Sequence, residues 1–161
     1  MAAYSPSLVA NAFLYRAMES RAPLSHMQLQ KLVYFVHAWS LAIHGASMLT
    51  ERPQAWTYGP VFDSLYHELK GYQSRNVDAY LEQMNPGTGQ RSTMVPAFND
   101  AAFWNLLDQV WQRYGKFSAM QLSAMTHELG GPWDRARQSN AGWLDDHLIA
   151  EHYRAQLHAA S

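Results

Sequence analysis

The chain has 161 residues, enough for one domain with a real core, and a net charge of −1 that offers no general field to nucleic acid or an anionic membrane. It has no cysteine, which excludes disulfides, thiol catalysis and thiolate metal sites. Neither a signal-peptide pattern nor an apolar run near ~18 residues occurs, so a soluble cytoplasmic protein is expected.

Ser5-Pro6 reads as an N-cap followed by proline at the first helical position, opening a helix that runs to about Arg21. Ser25-His26-Met27-Gln28 matches a capping box, and the helix behind it extends to about His44, with Gly45 suited to the left-handed position after its end. Leu29, Leu32, Val36, Trp39 and Ile43 form one apolar stripe on this helix, while Gln30, His37, Ser40 and His44 share the opposite sector. Lys31 lies beside the stripe, where its stem can rest on apolar surface and its ammonium reach out or pair.

Met48 to Tyr58 reads as a small hairpin or extended segment held by a tight turn at Gly59-Pro60, with Pro60 starting the next helix. That third helix spans Val61 to Lys70, with Phe62, Leu65, Tyr66 and Leu69 inward. Residues 72–98, broken by Asn85-Pro86-Gly87-Thr88-Gly89 and Pro96, read as an irregular, partly mobile connection. Asn99 opens a strongly amphipathic helix carrying Phe103, Leu106, Leu107, Val110, Trp111 and Tyr114, which Gly115 ends. A second capping box, Ser118 to Gln121, begins a helix with Leu122, Met125 and Leu129 inward, closed by Gly130-Gly131-Pro132. Trp133 to Gln138 and Leu144 to Leu157 supply two more. The sum is a mainly α, single compact domain over residues 1–161, of six or seven helices with a minor two-stranded hairpin.

No familiar catalytic or metal-binding pattern stands out in the sequence. The eight histidines lack metal-ligand spacing, and His127-Glu128 has no second histidine four positions after the first. No serine sits in a nucleophile elbow, and no phosphate-binding glycine loop occurs. Thr126-His127-Glu128 offers a general base without a visible nucleophile, so packing or capping is the expected role of His127 and no enzyme activity is expected. No cofactor is implied. Charged residues are only 16% of the chain and aromatics reach 13%, a composition shared by aromatic-rich cores and by interfaces. Trp56-Thr57-Tyr58-Gly59-Pro60-Val61 likewise reads either as a packed turn, with Trp56 buried, or as a rigid aromatic recognition loop.

Three blocks occur in order: LQKLVYFVHAW (Leu29 to Trp39), AWTYGPVFDSLYHELK (Ala55 to Lys70) and THELGGPWDRAR (Thr126 to Arg137). Together they resemble the Panacea domain known from SocA-like and GepA-like, phage-associated antitoxins, over about Ser7 to Tyr153. The matching positions are Gln30, Lys31, Leu32 and Tyr34; Trp56, Tyr58, Gly59 and Pro60; and Thr126, His127, Pro132 and Trp133. The resemblance implies a helical domain that binds and neutralises a protein toxin encoded beside it. Some SocA-like members instead deliver a toxin to the ClpXP protease, and the resemblance leaves open a homodimer or a heterotetramer with toxin. No separate DNA-binding extension is read from the sequence, which argues against autoregulation and nucleic-acid binding. The matched positions are expected to be largely scaffold. Tyr58, together with the less scaffold-like His37, His44, Arg135 and Trp143, is a candidate toxin contact. With so little net charge, salt is expected to weaken toxin binding only slightly, unless charge is segregated on one face.

Overall fold

In chain order, residues 1–160 of this computed structural model form α1 (Pro6–Ser20), α2 (His26–His44), β1 (Gln54–Trp56), β2 (Gly59–Val61), α3 (Asp63–Leu69), a 3-10 turn (Lys70–Tyr72), β3 (Glu82–Met84), β4 (Arg91–Thr93), α4 (Ala101–Tyr114), α5 (Ala119–Thr126), α6 (Pro132–Gln138) and α7 (Asp146–Ala160). The described residues thus hold seven α-helices and two antiparallel hairpins, a mainly α domain. Ser161, the last residue of the expected domain, lies outside them. No helix among them is long and apolar enough to cross a membrane.

Short polar side chains start the helices. Ser5 Oγ accepts from Leu8 N–H at the head of α1, and Asp100 accepts from Phe103 N–H at the head of α4. Ser25 and Ser118 form complete capping boxes with Gln28 and Gln121. At the other end of α2, Gly45 takes φ 74. The Arg154 guanidinium of α7 covers the carbonyls of Leu41 and Ala42 there.

α2 is the centre of the molecule, packed by α1, α3, α4, α5, α7 and β2. Its apolar stripe is buried as expected, except that Ile43, near the exit, is 45% exposed. Its polar sector is buried too, apart from the exposed His44: Gln30 and Ser40 are 0% exposed and His37 is 1%, and Lys31 beside the stripe is also 0%. Lys31 therefore neither reaches out nor pairs with a carboxylate. These groups bind backbone at the ends of neighbouring segments. Ser40 Oγ accepts from Met48 N–H, and the Gln30 amide both accepts from Phe62 N–H and donates to Phe62 O.

Two boundaries differ from expectation. Gly59-Pro60-Val61 is the second strand of the hairpin, the turn falls on Thr57-Tyr58, and α3 starts only at Asp63. Lys31 holds the Pro60 carbonyl and Gln30 holds the Phe62 backbone, so the chain is kept extended past the proline. α5 ends at Thr126, whose hydroxyl donates back to Ser123 O, and Leu129 is 93% exposed rather than inward. Within 72–98, β3 and β4 form a second hairpin. Asn11 of α1, itself 0% exposed, roots it: its Oδ1 accepts from Leu81 N–H, and its Nδ2 donates to the carbonyls of Leu81 and Met94.

Candidate functional site

The three sequence blocks meet at the β1–β2 hairpin. From α2, Lys31 Nζ donates to Pro60 O at 3.1 Å. From α5, Ser123 Oγ donates to Tyr58 O at 2.9 Å. From α6, Trp133 Nε1 donates to Trp56 O at 2.7 Å and Arg137 to Ala55 O at 3.2 Å. The outer edge of β1 is covered as well: Ala55 N–H bonds Gly142 O, and Leu144 N–H bonds Pro53 O. The carbonyls of Pro53, Ala55, Trp56, Tyr58 and Pro60 are thereby tied to a named side chain or strand-like neighbour. Such a ribbon would be marginal alone; here it is held from three sides.

Gly59 is dictated by the same packing. It takes φ 113, and a Cβ there would stand 2.8 Å from Lys31 Nζ and 3.0 Å from Thr126 Oγ1. Only glycine allows both the backbone angle and the approach of the lysine. His127 caps the end of α5 and lies flat on Trp133, ring centroids 3.9 Å apart and 14° from parallel. Its Nε2 is buried without a hydrogen-bond partner. His127 and Glu128 do not converge, because the Glu128 carboxylate faces His152 at 3.1 Å.

The electrostatics follow from burying a cation among neutral groups. Burial lowers the Lys31 ammonium to about 7. Burial first, and the Lys31 charge second, lower His26 to about 4. The same two causes in the same order hold His127 below the ordinary imidazole value, with the Tyr58 backbone pulling the other way.

The remaining family-motif positions divide cleanly. Leu32 and Tyr34 are core residues, and Pro132 begins α6 and is buried. Trp56 is half-buried, its ring edge-on to Tyr66 and its Nε1 bonded to Gln54, so the indole is packed without being fully enclosed. Tyr58, at the hairpin tip, is 71% exposed.

Of the other contact candidates, His44, Arg135 and Trp143 lie at the surface, Trp143 beside β1 with the Arg52 guanidinium over its ring. His37 offers a partner no surface. It is sealed between Ser47 Oγ at 2.6 Å and Asp146 Oδ1 at 2.9 Å. Burial pushes the Asp146 carboxyl up, but the His37 bond and charge outweigh it and leave the carboxyl below its usual range. The order Ser–His–Asp is that of a hydrolase relay, yet His37 is 1% exposed and Ser47 Oγ also accepts from Leu49 N–H in a local turn, which gives the three groups a structural role. The relay ties α2, the loop after it and the head of α7. Asp146 lies 109 positions from His37, so no local spacing could announce it. Ser123, Arg137 and Asn11 were missed for the same reason. Among the described residues no group of three or more His, Cys, Asp or Glu side chains could hold a metal ion.

The family model for antitoxin SocA-like proteins, the Panacea domain, matches residues 29–134, which contain the lysine, the hairpin and the Thr126-His127 anchor. The chain belongs to the SocA-like Panacea family. Antitoxin SocA of Caulobacter vibrioides is 30% identical over 126 residues, 78% of this chain and 66% of that relative. The match therefore spans just under two thirds of the relative's length. No solved structure matches the chain. In Panacea terms, all three blocks are accounted for by one arrangement, an aromatic turn fastened onto a buried lysine.

Proposed function

We propose that this Panacea domain acts in the cytoplasm as a non-enzymatic antitoxin, neutralising a cognate protein toxin by direct contact. Family membership supports an antitoxin role. The observation that carries direct contact is the hairpin: its backbone is fastened by Lys31, Ser123, Trp133 and Arg137, yet Tyr58 at its tip is 71% exposed. A rigid aromatic presented on an immobilised turn loses little entropy when a partner closes over it. Trp143, beside the same hairpin, is 48% exposed and extends this surface. Arg135 and His44 are peripheral contacts in this reading.

The test is co-expression with the product of the adjacent gene, followed by growth measurement and recovery of the complex. Growth rescue with a one-to-one or two-to-two complex, and inhibition of the toxin by the purified domain, is the expected result. Rescue that vanishes when a ClpXP-type protease is deleted, with no inhibition by purified protein, would replace direct blockade with delivery for degradation.

A further inference from the structure

The two hairpins differ in what covers their outer strands. β1 has the 142–144 segment along its free side, whereas β3 pairs with β4 alone. The register of β3 and β4, with Asn85 N–H bonding Gln90 O, alternates so that the backbone N–H and C=O of Glu82 and Met84 point away from β4. A groove of about 860 Å³ runs there. All three residues of β3 line it but only Arg91 of β4, so the groove lies on the unpaired side of the hairpin. Its far wall is Pro6 and Ser7 of α1 with Ser64, Glu68 and Leu69 of α3.

Charge in this groove is segregated, although the whole chain is nearly neutral. Glu51, Glu68 and Glu82 line it against the single cation Arg91, which already stands 3.6 Å from Glu82. Tyr72 and Met84 supply apolar surface between the carboxylates, over a floor that includes the nearly buried Leu69 and Leu81. An extended strand placed against β3 would find unpaired backbone groups, apolar contacts at Tyr72 and Met84, and an excess of negative charge. The edge is also firm, because Asn11 fastens Leu81 and Met94 at the root of the hairpin.

We propose that this groove receives an extended, Lys/Arg-bearing segment of the toxin, added as a third strand against β3. The proposal rests on the antitoxin reading, and supplies a contact apart from the Tyr58 tip. Met84 is 58% exposed and its N–H faces away from β4, so Met84→Pro removes a donor from the free edge while sparing the β3–β4 ladder. The double variant Glu51→Lys with Glu82→Lys reverses the groove charge; Glu82 is exposed, and Glu51 is half-buried and accepts from Ser64 N–H at the head of α3, so the folding controls bear on this variant too.

Two arms test the proposal, using the full chain with circular dichroism and melting temperature as folding controls. In the first, fluorescence anisotropy follows a labelled ten-residue peptide of alternating Lys and Val, and its Glu/Val counterpart. The Lys/Val peptide is expected to bind the parent, with affinity falling at least about tenfold in the double variant and in Met84→Pro, and the Glu/Val peptide to stay free. No binding to the parent, or equal binding to parent and folded variants, overturns the groove. In the second arm, growth is scored with the adjacent gene's product co-expressed. Weaker rescue by both folded variants than by the parent assigns the segment to the toxin, and undiminished rescue overturns that assignment. If the parent itself fails to rescue, the antitoxin reading has fallen, and the peptide arm alone judges the groove. Should Met84→Pro disturb the hairpin, the double variant decides both arms.

Discussion

An ammonium group sealed from water and answered by one carbonyl destabilises the fold it sits in whenever it is charged. Lys31 has a folded value of about 7 against an ordinary 10.5, so between these limits the unfolded chain holds the proton and the folded chain does not. Stability therefore rises with pH across that window, by up to about 1.4 kcal/mol per pH unit, and the full penalty stands below it. Urea unfolding from about pH 7.5 to about pH 9.5 is expected to show this rise, and Lys31→Met to flatten it. His26 acts in the same sense on the acid side: at about 4 against 6.5, it makes stability fall as pH drops through that interval, and His26→Gln is expected to reduce the fall. Trp56 is a milder case. Half-buried, and packed on Tyr66 at 4.8 Å, it is expected to cost about 1–3 kcal/mol on truncation to alanine, below the roughly 3–5 of a fully enclosed ring. A Trp56→Ala protein that keeps the parental melting temperature but no longer neutralises toxin would place the indole in the toxin contact instead.

Elements here are joined by side chains reaching across long sequence separations. Gly59→Ala is expected to destabilise by at least about 2 kcal/mol, since the new methyl would need both an unfavourable backbone angle and room now filled by Lys31. Hydrogen exchange would show the β1–β2 amides opening first. Asn11→Ala should free the β3–β4 amides in the same measurement, because Leu81 and Met94 lose their only named link to α1. These links also explain what the sequence disclosed about the elements. Ser25-Gln28 and Ser118-Gln121 announced their helices because a cap is written within four residues. The β3–β4 hairpin went unread because Asn11, its fastening, lies 70 positions before Leu81. The sector of Gln30, His37 and Ser40 was identified on the helix, but polarity alone does not tell a water-facing side chain from one that serves buried backbone. Burial of that sector required knowing that the hairpin exit would lie on Gln30, the loop after α2 on Ser40, and Ser47 with the head of α7 on His37.

For the whole molecule, a net charge of −1 conceals an uneven distribution, with three glutamates and one arginine in a single groove. Raising salt from about 50 mM to about 500 mM is therefore expected to weaken the toxin complex roughly three- to tenfold, measured by titration. The double variant Glu51→Lys with Glu82→Lys should remove most of that dependence. A parental complex indifferent to salt would show that the groove charge takes no part. The site itself was partly legible: Lys31, Gly59, Thr126, His127 and Trp133 could be named from three blocks, since each block is a local pattern. That they close on one hairpin was not, because convergence is a property of the packed helices and not of any one stretch. The surface candidates were harder still, as the burial of His37 shows; an imidazole on a helix wheel carries no sign of the aspartate waiting on a distant helix.

The chain contains only three lysines, and Lys70 and Lys116 are open to solvent while Lys31 is not. The uncharged amine is the form that reacts with acylating reagents, so Lys31 combines a reactive state near neutral pH with no access at all. A brief native-state pulse of acetic anhydride marks the exposed amines, Lys70 and Lys116 among them, at once. Lys31 is marked only when the hairpin lifts from α2, and the growth of that peptide's acetylated mass peak times the opening. A toxin that grips the tip at Tyr58 would slow this clock without touching the lysine.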